Sequence, residues 1–496
     1  MCLSCGRGRP FRKPLIYRYS LGSNIPQSPL AVAPGSCLMY NEALLVVQGA
    51  METHRPSQAN GADGVIARRL RAAASAASED YAKRNARSGE IAGEAARYLP
   101  GGNTRTTLWY DPFPLCMVRG AGSRITDADG HEYVDFLGDF TAGIYGHSSE
   151  VVQDAINAAL ADGLNLSAHN CREGRLAALI CARFASMQLV RFTNSGTEAN
   201  LMALAAAKQA TGRQKIMVFE NAYHGSVLSF LPGSPAMRVP HEFVLARYND
   251  VAGSLALIEE HRATLAAILV EPMLGAAGCI PGTPEFLQAL RRAASDVGAV
   301  LIFDEIQTAR LAVGGRQELL GIEPDLTTIG KFFGGGLAFG CFGGRREIME
   351  LFDPRRPEAL AHPGTFNNNT LAMAAGTAAV SNLLTAEALE RLNQRGDRLR
   401  ESIQALFRSV AAPFTVTGLG SLMNIHATGP GEWVADLRRL LFFELVAAGC
   451  YLAARGLIAL SFPITDEDTS QLLLALEAFL VKTARIGLAE PPLTRL

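Results

Sequence analysis

Between residues 189 and 344 the chain alternates short apolar runs with stretches of helical period. The runs are Leu189–Thr193, Lys215–Phe219, Ala267–Val270, Val300–Phe303, Leu326–Ile329 and Ala338–Gly343. Helical patterns over Ala199–Ala210 and Pro284–Val297 lie between them. The runs are near-continuously apolar, as in strands buried on both faces. This predicts an α/β fold with a mostly parallel central sheet and helices on both sides. In such sheets ligands gather beyond the carboxyl ends of the strands. Upstream, an Ala- and Arg-rich helical pattern runs from about Gly64 to Tyr98, and Pro100 with Gly101-Gly102 should end it. The expected organisation is a disordered extension (1–60), an N-terminal helix with part of a small domain (61–146), a large domain (147–385), and the rest of the small α/β domain (386–496).

Residues 1–60 lack periodicity, are rich in Pro, Ser and Gly, and hold no acid before Glu42. Arg7, Arg9, Arg12, Lys13 and Arg18 make this leader basic. The simplest reading is a tail, or upstream sequence ahead of a start at Met51; an organelle transit peptide is the alternative. Cys2-x-x-Cys5 has no second pair or histidine partner and does not read as a zinc site.

Composition narrows the classes. The 46 basic and 47 acidic residues leave a net charge of −1, with no global field to draw in nucleic acid or an anionic membrane. No uncharged apolar run approaches the about 18 residues that span a bilayer. Nine scattered cysteines suit free thiols in a reducing compartment, the cytoplasm on the simplest reading. The cysteines at 116, 171, 181, 279, 341 and 450 read as buried small hydrophobes. No two histidines sit at metal-ligand spacing, so no metal is expected, and His147, His169, His224 and His362 read as supporting or structural. Only six lysines are present, which leaves few candidates for an amine nucleophile.

The residues just after each run form a set. Asn194-Ser195-Gly196-Thr197-Glu198 opens a helix with hydroxyls and unpaired N–H groups, suited to a phosphate. Glu220-Asn221-Ala222-Tyr223-His224-Gly225 puts an aromatic on a loop. Glu271-Pro272 follows Val270, and Asp304-Glu305-Ile306-Gln307-Thr308 follows Phe303. An acid at the end of an apolar strand is costly to bury unless it meets a cation. Gly330-Lys331 follows Ile329 and precedes Phe332-Phe333-Gly334-Gly335-Gly336, glycines that should leave room for a ligand. Each part alone is ordinary loop chemistry. Together, a phosphate cup, an aromatic plate, a buried acid and a lysine are what pyridoxal phosphate requires.

These stretches, with Gly364-Thr365-Phe366, resemble the class III aminotransferases of fold type I over about residues 88 to 485. Within the class they are most similar to the branch of glutamate-1-semialdehyde aminomutase and the β-amino-acid (β-phenylalanine) aminotransferases. Gly364-Thr365-Phe366-Asn367-Asn368-Asn369 and the Arg105 segment look most like the latter. The resemblance implies that Lys331 forms the Schiff base and shuttles the proton, and that Asp304 pairs with the pyridine nitrogen. Ser195, Gly196 and Thr197 would hold the phosphate, Tyr223 would stack on the ring, and Glu271 and Gln307 would lie near it. Thr365 would reach the phosphate of a neighbouring subunit, which implies a homodimer with sites at the interface. By spacing alone Arg105, ahead of Leu108-Trp109-Tyr110, would be a surface residue. The family position makes it the substrate carboxylate anchor, and Arg455 the arginine that serves a second carboxylate. The expected reaction is a ping-pong transfer from a β-amino acid to 2-oxoglutarate or pyruvate. The alternatives are an intramolecular aminomutase and a non-catalytic pyridoxal-phosphate-binding protein.

Overall fold

The computed structural model describes residues 62–233 and 235–488. The basic leader, the Cys2-x-x-Cys5 pair and Met51 lie outside the described residues. Seven strands form the central sheet. They are β1 (Leu189–Thr193), β2 (Lys215–Phe219), β3 (Phe243–Ala246), β4 (Leu265–Val270), β5 (Val300–Asp304), β6 (Leu326–Gly330) and β7 (Gly340–Gly344). Their spatial order is β1-β7-β6-β5-β4-β2-β3. Only β7 is reversed, antiparallel to β6 and β1. Every residue of β4, β5 and β6 is buried, as helices on both faces demand.

Local chemistry sets the helices on this sheet. Ser195 caps Gly196–Thr211 by accepting from Glu198 N, and left-handed Gly212 closes it. Pro284–Val297 forms as its pattern predicts, with Thr283 as the cap, Pro at the first position and Gly298 at the end.

Three expectations change. The long N-terminal helix is two, Ala62–Arg84 and Ala86–Ala95. They part at Asn85, whose side-chain amide donates to Tyr81 O at 2.8 Å and whose backbone leaves the helical region. Strand β3 is missing from the predicted set, although its four residues Phe243–Ala246 are all apolar; it is an edge strand whose exposure alternates. Of the cysteines expected to be buried, only Cys279, Cys341 and Cys450 are; Cys116 and Cys181 are half-buried and Cys171 is exposed.

Segments from both ends of the described chain flank the large sheet. Met117–Ala121, Arg124–Asp127 and Glu132–Asp135 form one sheet with Cys450–Tyr451. Phe414–Leu419, Leu422–Ala427 and Leu457–Ala459 form another. One apolar core joins these parts to the centre, running from Leu70 and Val134 through Ile329 and Phe332 to Ile425 and Leu476. No described helix is long and apolar enough to cross a membrane.

Candidate active site

The sequence-marked residues converge at the carboxyl edge of the large sheet. β5 and β6 are neighbours, so Asp304 and Lys331 leave the sheet side by side. Gly330 pairs with Gly340 at the start of β7, and Gly340 pairs in turn with Thr193 of β1, which brings the Ser195-Gly196-Thr197 turn to the same place. A Cβ on Gly196 would meet Ile306 Cδ1 at 2.5 Å, and one on Gly330 would meet the same atom at 3.2 Å. The three loops therefore close on one another.

Lys331 begins a short 3-10 turn with φ of 56°, a conformation that costs a long side chain energy and recurs at functional sites. Its Nζ donates to Phe140 O at 2.8 Å and Thr141 Oγ1 at 2.6 Å. Burial pushes the amine down to about 8; Asp304 and Glu271 pull it back upward, while Arg455 and Arg310 press it lower. Between that value and the about 10.4 of an ordinary lysine, Lys331 is a free base while solvated lysines are ammonium. In cofactor-free protein, acylation of Lys331 followed by peptide mapping should therefore show a rate midpoint near pH 8. A midpoint at the ordinary lysine value would contradict this.

Asp304 is buried. Its Oδ2 accepts from Asn200 Nδ2 at 2.8 Å and meets His224 Nδ1 at 2.7 Å, while Oδ1 accepts from Ile306 N at 3.1 Å. Asn200 is itself held by Thr328 Oγ1, 2.7 Å from its Oδ1. The imidazole is a side-chain partner of this strand-end acid, and this contact gives His224 its supporting role. Asn200 carries no motif; its one signal is a polar residue on the helix face that the sheet buries.

Glu271 supports loops. Its oxygens accept from Tyr223 N at 2.9 Å and Gly275 N at 3.0 Å, so it ties the exposed Tyr223 to the chain after β4. Burial pushes its carboxyl up to about 7. Gln307 packs against this chain: a Cβ on Gly275 would meet its side-chain amide at 2.3 Å. Glu305 braces the next loop, accepting from Arg316 N at 3.1 Å and Gln317 N at 2.8 Å.

Of the glycines after Lys331, Gly336 faces open space, whereas Gly334 and Gly335 are packed. A Cβ on Gly334 would meet Phe339 Cβ at 2.3 Å, and one on Gly335 would meet Ala375 Cβ at 2.5 Å. They let the lysine turn pack against its own chain. Arg105 bridges to Asp139 at 2.7 Å and lies over the Phe140 ring, 5.3 Å from its centroid. Arg455 Nη1 donates to Ala276 O at 2.7 Å, beside the loop that Glu271 holds. Arg310 is fully buried, donating to Ser421 Oγ at 2.9 Å and to Leu460 O; burial pushes it down to about 9. Thr365 is exposed, on a segment joined to Asn194 through Asn367, 3.2 Å away. Among the described residues no cluster of His, Cys, Asp and Glu could hold a metal.

A family model described as "Aminotransferase class-III" matches residues 106–480. The chain belongs to the class III aminotransferases. A β-phenylalanine transaminase from Variovorax paradoxus is 50% identical to this aminotransferase over 393 residues, 78% of this chain and 90% of the relative. The crystal structure of a β-phenylalanine aminotransferase from that organism matches at TM-score 0.82 and 47% identity, over 86% of this chain and 100% of that one. A glutamate-1-semialdehyde 2,1-aminomutase from Brevibacillus brevis is 38% identical over 360 residues, 69% of this chain and 83% of the relative. A transaminase solved with pyridoxal phosphate bound matches at TM-score 0.76 and 33% identity, over 81% of this chain and 99% of that one. This class III aminotransferase is a pyridoxal-phosphate-dependent enzyme of the fold the apolar runs predict.

Proposed function

We propose that this aminotransferase moves an amino group from a β-amino acid, aromatic ones included, to a keto acid such as 2-oxoglutarate or pyruvate, in a ping-pong cycle. The observation that carries the reading is the likeness to a β-phenylalanine transaminase at 50% identity. Geometry supports it, since Arg105 lies over Phe140, the residue whose carbonyl holds the Lys331 amine.

The residues fit the cofactor by their donor chemistry. A capped helix N-terminus offers N–H groups at Gly196 and Thr197. A buried carboxylate and an amine depressed to about 8 stand on adjacent strand ends. Bound there, pyridoxal phosphate supplies an electron sink for the carbon that loses its proton. Ser195, Gly196 and Thr197 hold the phosphate. Asp304, fixed by Asn200 and His224, keeps the pyridine nitrogen protonated. Tyr223 covers the ring, and Glu271 and Gln307 support it. Lys331 Nζ would hold the cofactor and, when free of it, would take the proton from the donor's nitrogen-bearing carbon. Thr365, exposed in one chain, reaches the phosphate site of a second copy, so the working form is a homodimer. The six described cysteines are thiols, which suits the cytoplasm.

Arg105 anchors the donor carboxylate, and Arg455 serves the second carboxylate of a dicarboxylic acceptor. A charge-assisted bidentate contact contributes roughly 1.5–3 kcal/mol net. Arg105→Ala should therefore lower kcat/KM about ten- to a hundred-fold for β-amino acids and far less for simple amines. Arg455→Ala should impair 2-oxoglutarate more than pyruvate. Initial rates over a panel of donors and acceptors test both. Equal losses for amines and amino acids would make Arg105 structural and remove the carboxylate argument. The second reading, an intramolecular aminomutase, rests on the Brevibacillus relative; it needs no keto acid.

A further inference from the structure

Four consecutive residues, Gly138, Asp139, Phe140 and Thr141, have φ of 53°, 44°, 53° and 80°. Left-handed backbone is disfavoured for L-residues, usually appears singly, and persists only where the surroundings over-determine it. Here they do. Asp135 Oδ1 accepts from Leu137 N at 2.9 Å and Gly138 N at 3.0 Å, and its Oδ2 meets His147 Nε2 at 2.9 Å. Gly143 N donates to Gly138 O at 2.8 Å, and Ala459 N donates to Phe136 O at 2.7 Å. The turn is thus clamped from both of its own flanks and from the Leu457–Ala459 strand.

This strained turn presents two groups to Lys331 Nζ, Phe140 O at 2.8 Å and Thr141 Oγ1 at 2.6 Å. Thr141 is 1% exposed, so water does not compete for its hydroxyl. The two groups differ in kind. A carbonyl only accepts, and so it can only take an N–H from the amine. A hydroxyl accepts from an ammonium or donates to the lone pair of a free amine. Thr141 can therefore also satisfy the lone pair that the amine gains when it gives up a proton, which Phe140 O, confined to accepting an N–H in either state, cannot do.

We propose that Thr141 is a positioning residue for Lys331. With Phe140 O it holds the lysine amine in place while the amine is not bonded to the cofactor, and it follows that amine as it gains and gives up the substrate proton. The proposal rests on the reading of Lys331 as the amine that carries the cofactor and moves the proton. The turn also presents Asp139 to Arg105 at 2.7 Å, so the carboxylate anchor and the amine share one rigid reference.

Three full-length variants test it: Thr141→Val, Thr141→Ala and Thr141→Ser. Valine and alanine should lower kcat about ten- to a hundred-fold, the range expected for a misplaced reacting group, with KM for the donor changed less than about three-fold. Serine should restore most of kcat. In cofactor-free protein, the pH midpoint for acylating Lys331 should fall below that of wild type in the valine and alanine variants, because the charge-assisted bond lost to the ammonium is stronger than the neutral bond lost to the free amine. A hydroxyl with a purely structural role would leave that midpoint unmoved. If either kcat or the midpoint stays at wild type in the alanine variant, the proposal is overturned. If valine does not fold, the alanine and serine pair decides by the same readouts. The two failures are separable: an active Lys331→Ala enzyme would refute the reading of Lys331, whereas an inactive one beside a wild-type-like Thr141→Ala would refute the role of Thr141 alone.

Discussion

Replacing Lys331 by alanine is expected to remove the visible absorbance of the lysine-linked cofactor and to lower turnover by about four orders of magnitude or more. Two roles vanish together, the covalent hold on the cofactor and the proton transfer, and positioned proton transfer by itself is worth about 10²- to 10⁴-fold. Of the five other lysines in the chain, Lys13 lies outside the described residues, and none of the four described ones follows a strand of the large sheet at its carboxyl end. Lys215 begins β2, and Lys208 lies in the Gly196–Thr211 helix. The amine of Lys331 is also pushed down to about 8 by burial, so it loses its proton more readily than a solvated lysine does. Borohydride reduction of the loaded enzyme followed by peptide mapping should label Lys331 alone. Label on Lys208 or Lys215 would refute the assignment.

Asp304→Asn should give the second largest loss, about 10²- to 10³-fold in kcat, the scale of removing one preorganised electrostatic partner. Asparagine separates charge from architecture here. Its one amide oxygen can take the place of Oδ2, which serves both Asn200 and His224 at 2.8 and 2.7 Å. Its amide nitrogen then faces Ile306 N and loses that bond, a cost of about 1 kcal/mol. The protein should stay folded and keep cofactor through the Ser195-Gly196-Thr197 turn, so binding falls less than rate. Kinetics beside a cofactor-binding titration check this, and near-full activity would remove Asp304 from the chemistry.

Much of this site is legible in the sequence, for a physical reason. Strands buried on both faces must be apolar throughout, so β4, β5 and β6 mark themselves. Asp304 and Lys331 stand out because a charge at the end of such a strand needs a purpose. What stays hidden depends on distant pairing or on backbone strain. Strand β3 is a four-residue apolar run that becomes a strand by pairing with β2 at the sheet edge. Asn85 breaks a helix whose composition favours continuing, through a side-chain bond to Tyr81 O. Gly334 and Gly335 suggest space, yet they serve close packing against Phe339 and Ala375. The left-handed turn at residues 138–141 is the least legible part. Only its first residue is glycine, and Asp139, Phe140 and Thr141 carry no local sign that contacts far along the chain hold them at positive φ.

The central claim is that a β-amino acid gives up its amino group to the enzyme, which then passes it to a separate keto acid. Mixing the loaded enzyme with β-phenylalanine alone, and following keto product against enzyme concentration, tests this most directly. The account predicts one equivalent of product per site and then a halt, with turnover resuming when 2-oxoglutarate or pyruvate is added. Continued turnover without any keto acid, or no product with β-phenylalanine at all, would contradict it.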